Sequence, residues 1–583
     1  MNNRGFTLIE TLIAITILAI VSTAIYFSYS NVLEIFSASY LNLTALSLLD
    51  SELELIRNMP YTDVGVQGGV PAGVIAAAKN INYSNIDFVV KTAIRNIDDS
   101  FDGTQGGSPN DTAPADYKLV ELEITCPTCP RFIPARATTT VAPQGLETVT
   151  NNGTLIIRAI DASGQPVVEA SVLVINNSIS PAININDVTD SSGFFKIIDT
   201  PPSSAGYAVT VSKSGYSTDR NYRPGDPLNP NPLKPYATVV AEQITQTSFI
   251  IDRVSVLNVK TQDKFCVGIG NIGFLQTGQK LIGTNPDVFK YSLVHTTDST
   301  GNKTVGNLEF DAYDFKNQSA VNEISGFSPM TPIAVDPDGT YGLTWLIEPK
   351  SPSAITVTVV DQNDQPINDA KVTLTKTGFS DEKYTGRKFV VYTDWSGGNF
   401  DSKSINIEEA DPAGELRIKD LGGGKYASMS DEWLVSKTLD FGTSDVDFYN
   451  LIFNPTSQPA QTSLKIQIAT NNDNSTWNFV GPDGTSNTYY TINGIQIYQG
   501  HNDKRYLRYK IVLRTDDENV TPSFQDLALD FNSSCVPEGQ SYFSGLNQGT
   551  YKIKIEKAGY QTFNDNSVGI NANWIDYRAV LSP

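Results

Sequence analysis

The sequence predicts a mainly β chain of several modules that follows one long N-terminal α-helix. Three observations carry this reading. At 583 residues the chain exceeds what one hydrophobic core supports, and about 150 residues per domain implies roughly four modules. Its 43 Gly, 31 Pro, 26 Tyr and 26 Phe, with only 18% charged residues, suit turn-rich strands rather than helical bundles or disorder. One apolar, helical segment stands at the start, and period-two segments fill the remainder. The 63 acidic residues against 42 basic ones leave a net charge of −21, so a nucleic-acid partner is not expected.

The helix comes first in the chain. Between Phe6 and Phe27 the only charge is Glu10, and these 22 residues, at about 1.5 Å each, reach roughly 33 Å, enough for a bilayer core. Arg4 on the leading side places that end in the cytoplasm and the remainder of the chain outside. The apolar run is longer than that of a secretory signal and carries a charge inside it. Two readings of Glu10 stay open: a carboxylate that a partner group offsets within the membrane, or a signal anchor whose Glu10 lies among the headgroups. An apolar face continues through Leu33, Phe36, Tyr40, Leu43, Leu46, Leu49, Leu53 and Ile56, and Pro60 ends the helix.

Period two then replaces the helical pattern. Ile86, Phe88 and Val90 share one strand face, followed by strands over 119–124 and 137–141, so three strands are expected to pack on the helix as a small α+β head. The residues Gly5-Phe6-Thr7-Leu8-Ile9-Glu10 resemble the leader of type IV pilins and type II secretion pseudopilins. That resemblance implies that a prepilin peptidase cuts between Gly5 and Phe6 and methylates Phe6. It also implies that Glu10 contacts the new amino terminus of a neighbouring pilin or pseudopilin subunit, with the inner membrane holding the helix before assembly. The expected divisions are a leader over 1–5, a helix over 6–59 and a pilin-like head over 60–148. Pilins often carry a helix-kinking proline, and this chain has none before Pro60.

An internal repeat organises the remainder. The segment 155–172 aligns with 355–372 at an offset of 355 − 155 = 200, through Asp161, Gln165 and Pro166 matching Asp361, Gln365 and Pro366. The ends Tyr207 to Tyr216 and Tyr551 to Tyr560 also match, but at 551 − 207 = 344, so the second unit contains an insertion of 344 − 200 = 144 residues. Exposed loop tips tolerate such insertions. The units resemble the carboxypeptidase regulatory-like, transthyretin-like or Ig-like β-sandwich, expected over 151–250 and over 353–392 plus 533–583. A divergent copy is expected over 253–350, where Thr297-Asp298 echoes Thr189-Asp190. The insertion, 393–532, has its own strands around Trp433, Leu464, Tyr506 and Leu527 and resembles jelly-roll modules, some of which bind sugar.

No catalytic centre is expected. Cys126 and Cys129 allow a local disulfide, first among three readings, then free thiols or zinc. Cys266 and Cys535 would pair only if their units pack together. His295 and His501 are the only imidazoles, and neither stands in a nucleophile or metal motif. The clusters at Asp336-Pro-Asp338 and Asn471-Asn-Asp473 read as turns rather than calcium loops. The expectation is therefore a non-enzymatic, minor pilin-like or pseudopilin-like subunit without cofactor, displaying sandwiches on a surface filament for adhesion to a surface glycan or protein. The alternatives are an anchored adhesin that binds glycan through the inserted sandwich and, less favoured, a surface hydrolase.

Overall fold

A computed structural model describes residues 8–129, 132–145, 150–351, 353–571 and 574–583. They form one α-helix, Leu8–Arg57, two short 3-10 turns at Ser396–Gly398 and Gln499–His501, and a long series of β-sheets. The chain divides into two compact units, Met1–Val254 with Lys280–Lys290, and Ser255–Gln279 with Tyr291–Pro583.

In the first unit, the helix lies against an antiparallel meander of four strands, Ala78–Tyr83, Ile86–Ile97, Tyr117–Thr125 and Ala135–Val141. Four strands stand where three were expected. Ala78–Tyr83 is an exposed edge strand, so its sequence lacks the apolar alternation that marks a half-buried strand. The register pairs Val90 with Ile124 and Ile94 with Val120, which puts them on one face with Phe88 and Leu122. That face covers Ala45, Leu49, Leu53 and Ile56 of the helix.

The first sandwich follows in the same unit. One sheet orders Ile244–Ile250, Gly153–Ile160 and Phe194–Thr200; the other is built on Ser203–Ser212, Ser171–Asn176 and Ile183–Val188. Its last strand, Ile244–Ile250, runs parallel to its first, so the end of the module is fastened to its beginning. The Asp161 carboxylate accepts hydrogen bonds from the Ser163 and Gln165 amides at 2.9 and 2.8 Å and shapes the turn that the repeat marked. Arg95 of the head donates two 2.7 Å hydrogen bonds to Asp187 of the sandwich, a planar fork that fixes orientation as well as distance.

The second unit holds two sandwiches of related strand order, one of them extended by Asn322–Ser328 beside Thr340–Pro349, and a nested third. In one, Ser255–Gln262 lies parallel to Thr340–Pro349; in the other, Ala354–Val360 lies parallel to Trp574–Val580. Tyr207, Tyr313 and Tyr551 are buried at corresponding places, each hydroxyl donating to a nearby carbonyl, of Pro201 at 2.5 Å, Glu309 at 2.9 Å and Asn547 at 2.8 Å. In the divergent copy the run from Leu308 to Tyr313 is shared between two strands, Asn302–Leu308 and Asp311–Asn317, which lie in different sheets. The span 253–350 is also not continuous, because the hairpin within Lys280–Lys290 belongs to the first unit. There the Leu233 amide donates to the Ile282 carbonyl at 3.0 Å and Lys290 reaches Asp219 at 3.7 Å.

The nested module begins earlier than the expected residue 393. Lys388–Tyr392 pairs with Asp526–Asn532 of the insertion, not with the host sheets. An apolar strand beside a boundary suits either sheet, so sequence pattern alone does not assign it. The Gly386 amide donates to the Gln540 carbonyl at 2.8 Å, so the two ends of the insertion leave the host side by side. Little host hydrogen bonding is interrupted, which is why a module fits there.

Two disulfides close very different loops. Cys126 and Cys129 are separated by 3 positions, Cys266 and Cys535 by 269, the latter joining a turn of the second sandwich to the exit of the insertion. Loop-closure entropy predicts that replacing Cys266 and Cys535 by Ser costs about 5 kcal/mol, against about 2 kcal/mol for the other pair. Denaturant unfolding of the two double variants tests this, and equal losses would refute the entropic account. A second expectation concerns His501, which is 4% exposed in the inserted sandwich, with Nδ1 2.9 Å from the Thr470 hydroxyl. Burial pushes its imidazole from 6.5 down to about 4. The unfolded chain thus takes up a proton that the folded chain refuses, and stability present above pH 6.5 is lost as the pH falls toward about 4. The expected loss is about 3 kcal/mol, read from unfolding curves across that range. His501→Gln should flatten the dependence, and an unchanged slope would count against it.

Candidate functional site

The helix Leu8–Arg57 is two surfaces in one element. From Leu8, 83% exposed, to Phe36, 70% exposed, its large apolar side chains stand open on every side. From Ala45 onward, one face is sealed against the head sheet. Thr11, Thr16 and Thr23 lie in the uncovered part, and each hydroxyl donates to a carbonyl three or four residues earlier, Thr11 to Leu8 at 2.8 Å and Thr23 to Ala19 at 2.9 Å. Their polar groups are thus satisfied within the helix, which suits an apolar surrounding. No charged residue occurs from Thr11 to Leu33, a stretch of roughly 34 Å at about 1.5 Å per residue. An exposed apolar surface of this extent has no stable place in water.

Of the sequence-predicted residues, Gly5 and Phe6 lie outside the described residues. Glu10 falls within the first turns of the helix, and its side chain is likewise outside the description. Cys126 and Cys129, with Cα atoms 5.3 Å apart, are joined at the exit of strand Tyr117–Thr125, and Cys126 enters the head core.

The covered end of the helix is held by groups that sequence reading did not single out. Lys118 sits on the buried face of a strand and donates to the Tyr61 and Val64 carbonyls at 2.7 and 2.6 Å, tying down the loop that follows Pro60. Burial pushes its ammonium below the usual lysine range. Arg57 donates to Thr139 at 2.8 Å, joining the last helical turn to the final head strand. A lysine in register with Val120, Leu122 and Ile124 on one strand face was the available signal, though a strand-end position explains such a residue equally well.

His295 Nε2 lies 2.9 Å from the Tyr291 hydroxyl, and burial lowers its pKa. Among the described residues, His501 Nε2 is enclosed with no hydrogen-bond partner, so the ring is oriented through its Nδ1 contact with Thr470. Among the described residues no group of three or more His, Cys, Asp or Glu is placed to hold a metal ion. Asp473 instead accepts hydrogen bonds from the Ser475 and Thr476 amides at 2.8 and 2.9 Å, which holds its carboxyl well below the usual range and shapes a turn.

Residues 1–26 match the family model of the prokaryotic N-terminal methylation motif. No curated protein sequence matches the chain significantly. Among solved structures, the Bacillus anthracis TIE protein is similar at 11% identity and TM-score 0.17, over 80% of this chain and 59% of that one. The chain thus spans less than two thirds of that protein. GBS52, the minor pilin of Streptococcus agalactiae, is similar at 12% identity and TM-score 0.17, covering 34% of this chain and 99% of its own. The shaft pilin SpaA of Lactobacillus rhamnosus GG gives 9% identity and TM-score 0.14 over 34% and 98%. TM-scores this low establish neither fold nor activity. The motif match does show a prepilin-type N-terminus, leading into the one helix among the described residues that is long and apolar enough to cross a membrane.

Removing residues 1–36 takes away the uncovered length and leaves Ala45, Leu49, Leu53 and Ile56 in place. The full chain is expected to partition into the detergent phase of a Triton X-114 separation, and the shortened chain into the aqueous phase with its far-ultraviolet spectrum intact. A shortened chain that still follows detergent would place the membrane-active surface elsewhere.

Proposed function

We propose that the protein is a minor pilin-like or pseudopilin-like filament subunit, whose helix moves from the inner membrane into a filament and whose sandwiches are displayed outside the cell. The observation that carries this reading is the prepilin-type segment at residues 1–26 running without interruption into a helix uncovered as far as Phe36. A prepilin peptidase cuts between Gly5 and Phe6 and methylates Phe6. Glu10 pairs with the free, positively charged amine of a neighbouring subunit, so the cost of a carboxylate in an apolar layer is offset only on assembly.

The first sandwich and the host sandwich of the insertion are proposed as carboxypeptidase regulatory-like modules, with the sandwich between them a divergent copy. Their common turn at Asp161 and Asp361 and their parallel closing strand support that assignment. The nested module is proposed as a jelly-roll-like platform for contact with a surface glycan or protein. Its work is structural and adhesive, not enzymatic, in keeping with two isolated histidines.

Gly5→Val is expected to block cleavage and leave the leader attached, since a branched side chain before the cut obstructs close backbone approach. Glu10→Leu is expected to be cleaved and membrane-inserted as usual, yet absent from sheared filaments. Mass spectrometry of the mature N-terminus and immunoblots of the sheared fraction read both. Normal processing of Gly5→Val, or wild-type levels of Glu10→Leu in filaments, would leave an anchored adhesin as the better description.

A further inference from the structure

Within the second unit, three sandwiches meet around a cavity of about 90 Å³ whose walls are unusually cationic. Lys264 comes from the turn after Ser255–Gln262, Lys383 from strand Phe379–Tyr384 of the host, and Lys388 from the first strand of the insertion. Glu348, Tyr542, Ser544 and Arg387 complete the wall.

The charges around this space do not balance. Arg387 is engaged elsewhere, donating to Asp369 at 2.8 Å and to Asp530 at 3.1 Å, with the Tyr449 ring 3.5 Å from its centre. Glu323 lies behind the wall, accepting from the Tyr542 hydroxyl and from the Ser351 amide at 3.0 Å. Asp381 lies at the outer side, 4.0 Å from Lys383. Among the described residues Glu348, 3.5 Å from Lys388, is thus the one carboxylate of the lining, set against three ammonium groups.

Their donors are only partly used. Lys264 donates to the Phe389 carbonyl at 2.6 Å, Lys383 to the Tyr542 carbonyl at 2.6 Å, and Lys388 to the Ser325 carbonyl at 3.0 Å and to Glu348. An ammonium carries three donors, so five of the nine N–H bonds make no hydrogen bond among the described residues, and the Phe265, Phe543 and Tyr542 rings lie 5.7, 5.0 and 5.0 Å from Lys264, Lys383 and Lys388. The volume is about that of three waters in the liquid, room for one small anion. Burial and neighbouring positive charge hold Lys388 down at about 8 and also lower Lys383, as expected where cations are crowded. The Glu348 and Lys383 side chains are 29% and 25% exposed, so the cavity has a route to solvent.

We propose that this cavity binds one small inorganic anion, chloride or a tetrahedral oxyanion such as sulfate or phosphate, held by the ammonium groups of Lys264, Lys383 and Lys388. Such an ion completes the charge balance where the second sandwich, the host and the insertion join. The inference does not depend on the assembly role of the N-terminus.

The test uses the full chain in detergent micelles at constant ionic strength, balanced with bulky gluconate. Equilibrium dialysis with radiolabelled sulfate and phosphate, and chloride line broadening in nuclear magnetic resonance, measure binding directly. Saturable binding of one ion per chain is expected, and the anion that saturates names the occupant. Lys383→Gln should weaken binding about tenfold, because a charge-assisted donor is lost. Glu348→Gln should tighten it about tenfold, because the competing carboxylate is gone. A merely structural role predicts no such opposite signs. If Lys383→Gln fails to fold, Lys264→Gln, on a turn, reads the same loss. Absence of saturable binding for all three anions, or weaker binding in Glu348→Gln, overturns the proposal.

Discussion

One constraint governs this molecule: the helix Leu8–Arg57 needs two different surroundings along its length. Its later turns bury Ala45, Leu49, Leu53 and Ile56 in the head, where the sheet replaces water. Its earlier turns offer Leu, Ile, Val and Phe in every direction, and among the described residues no element covers them. At roughly 25 cal/mol per Å² of apolar surface, leaving that length in water is strongly unfavourable, so a bilayer or other helices must supply the cover. Glu10, the single charge in the first turns, raises the cost of placing that end in an apolar layer.

Outside the helix, stability is modular and so are the devices that hold modules together. Each of the three related sandwiches returns its last strand parallel to its first, which joins the ends of the module and leaves its loops free to accept additions. The insertion uses that freedom between Gly386 and Gln540. Within the second unit the joints are specific. Gln540 imitates a backbone strand, accepting from the Phe327 amide at 3.0 Å and donating to the Phe327 carbonyl at 2.7 Å. Trp574 packs against the core of the neighbouring sandwich while donating to Thr356 at 2.9 Å. With the Cys266 to Cys535 bond, these contacts link three modules by covalent, polar and apolar means.

Legibility from sequence followed the range of each interaction. The uncharged run that opens the chain, the stop at Pro60 and the alternation of Leu119 to Ile124 are local patterns, and helix or strand periodicity expresses them directly. The repeat through Asp161 and Asp361 was legible because a turn demands the same carboxylate in both copies. Ala78–Tyr83 was not, since an exposed edge strand carries no apolar stripe. Lys388–Tyr392 lay on the wrong side of a boundary because its partner, Asp526–Asn532, is far away in sequence.

By itself, then, the sequence determined the class of the molecule, its membrane-length helix, its repeated β modules and the prepilin-type segment at its start. These depend on side-chain order within one element, and that order is written along the chain. Only the tertiary structure decided that Cys266 meets Cys535, that Lys118 closes the loop after the helix, and that Lys264, Lys383 and Lys388 face one another around a shared cavity. Such groupings depend on how separate strands pack. A lysine on a lone strand looks the same whether it points to solvent or into a joint, and burial decides between them only once the modules have closed on it.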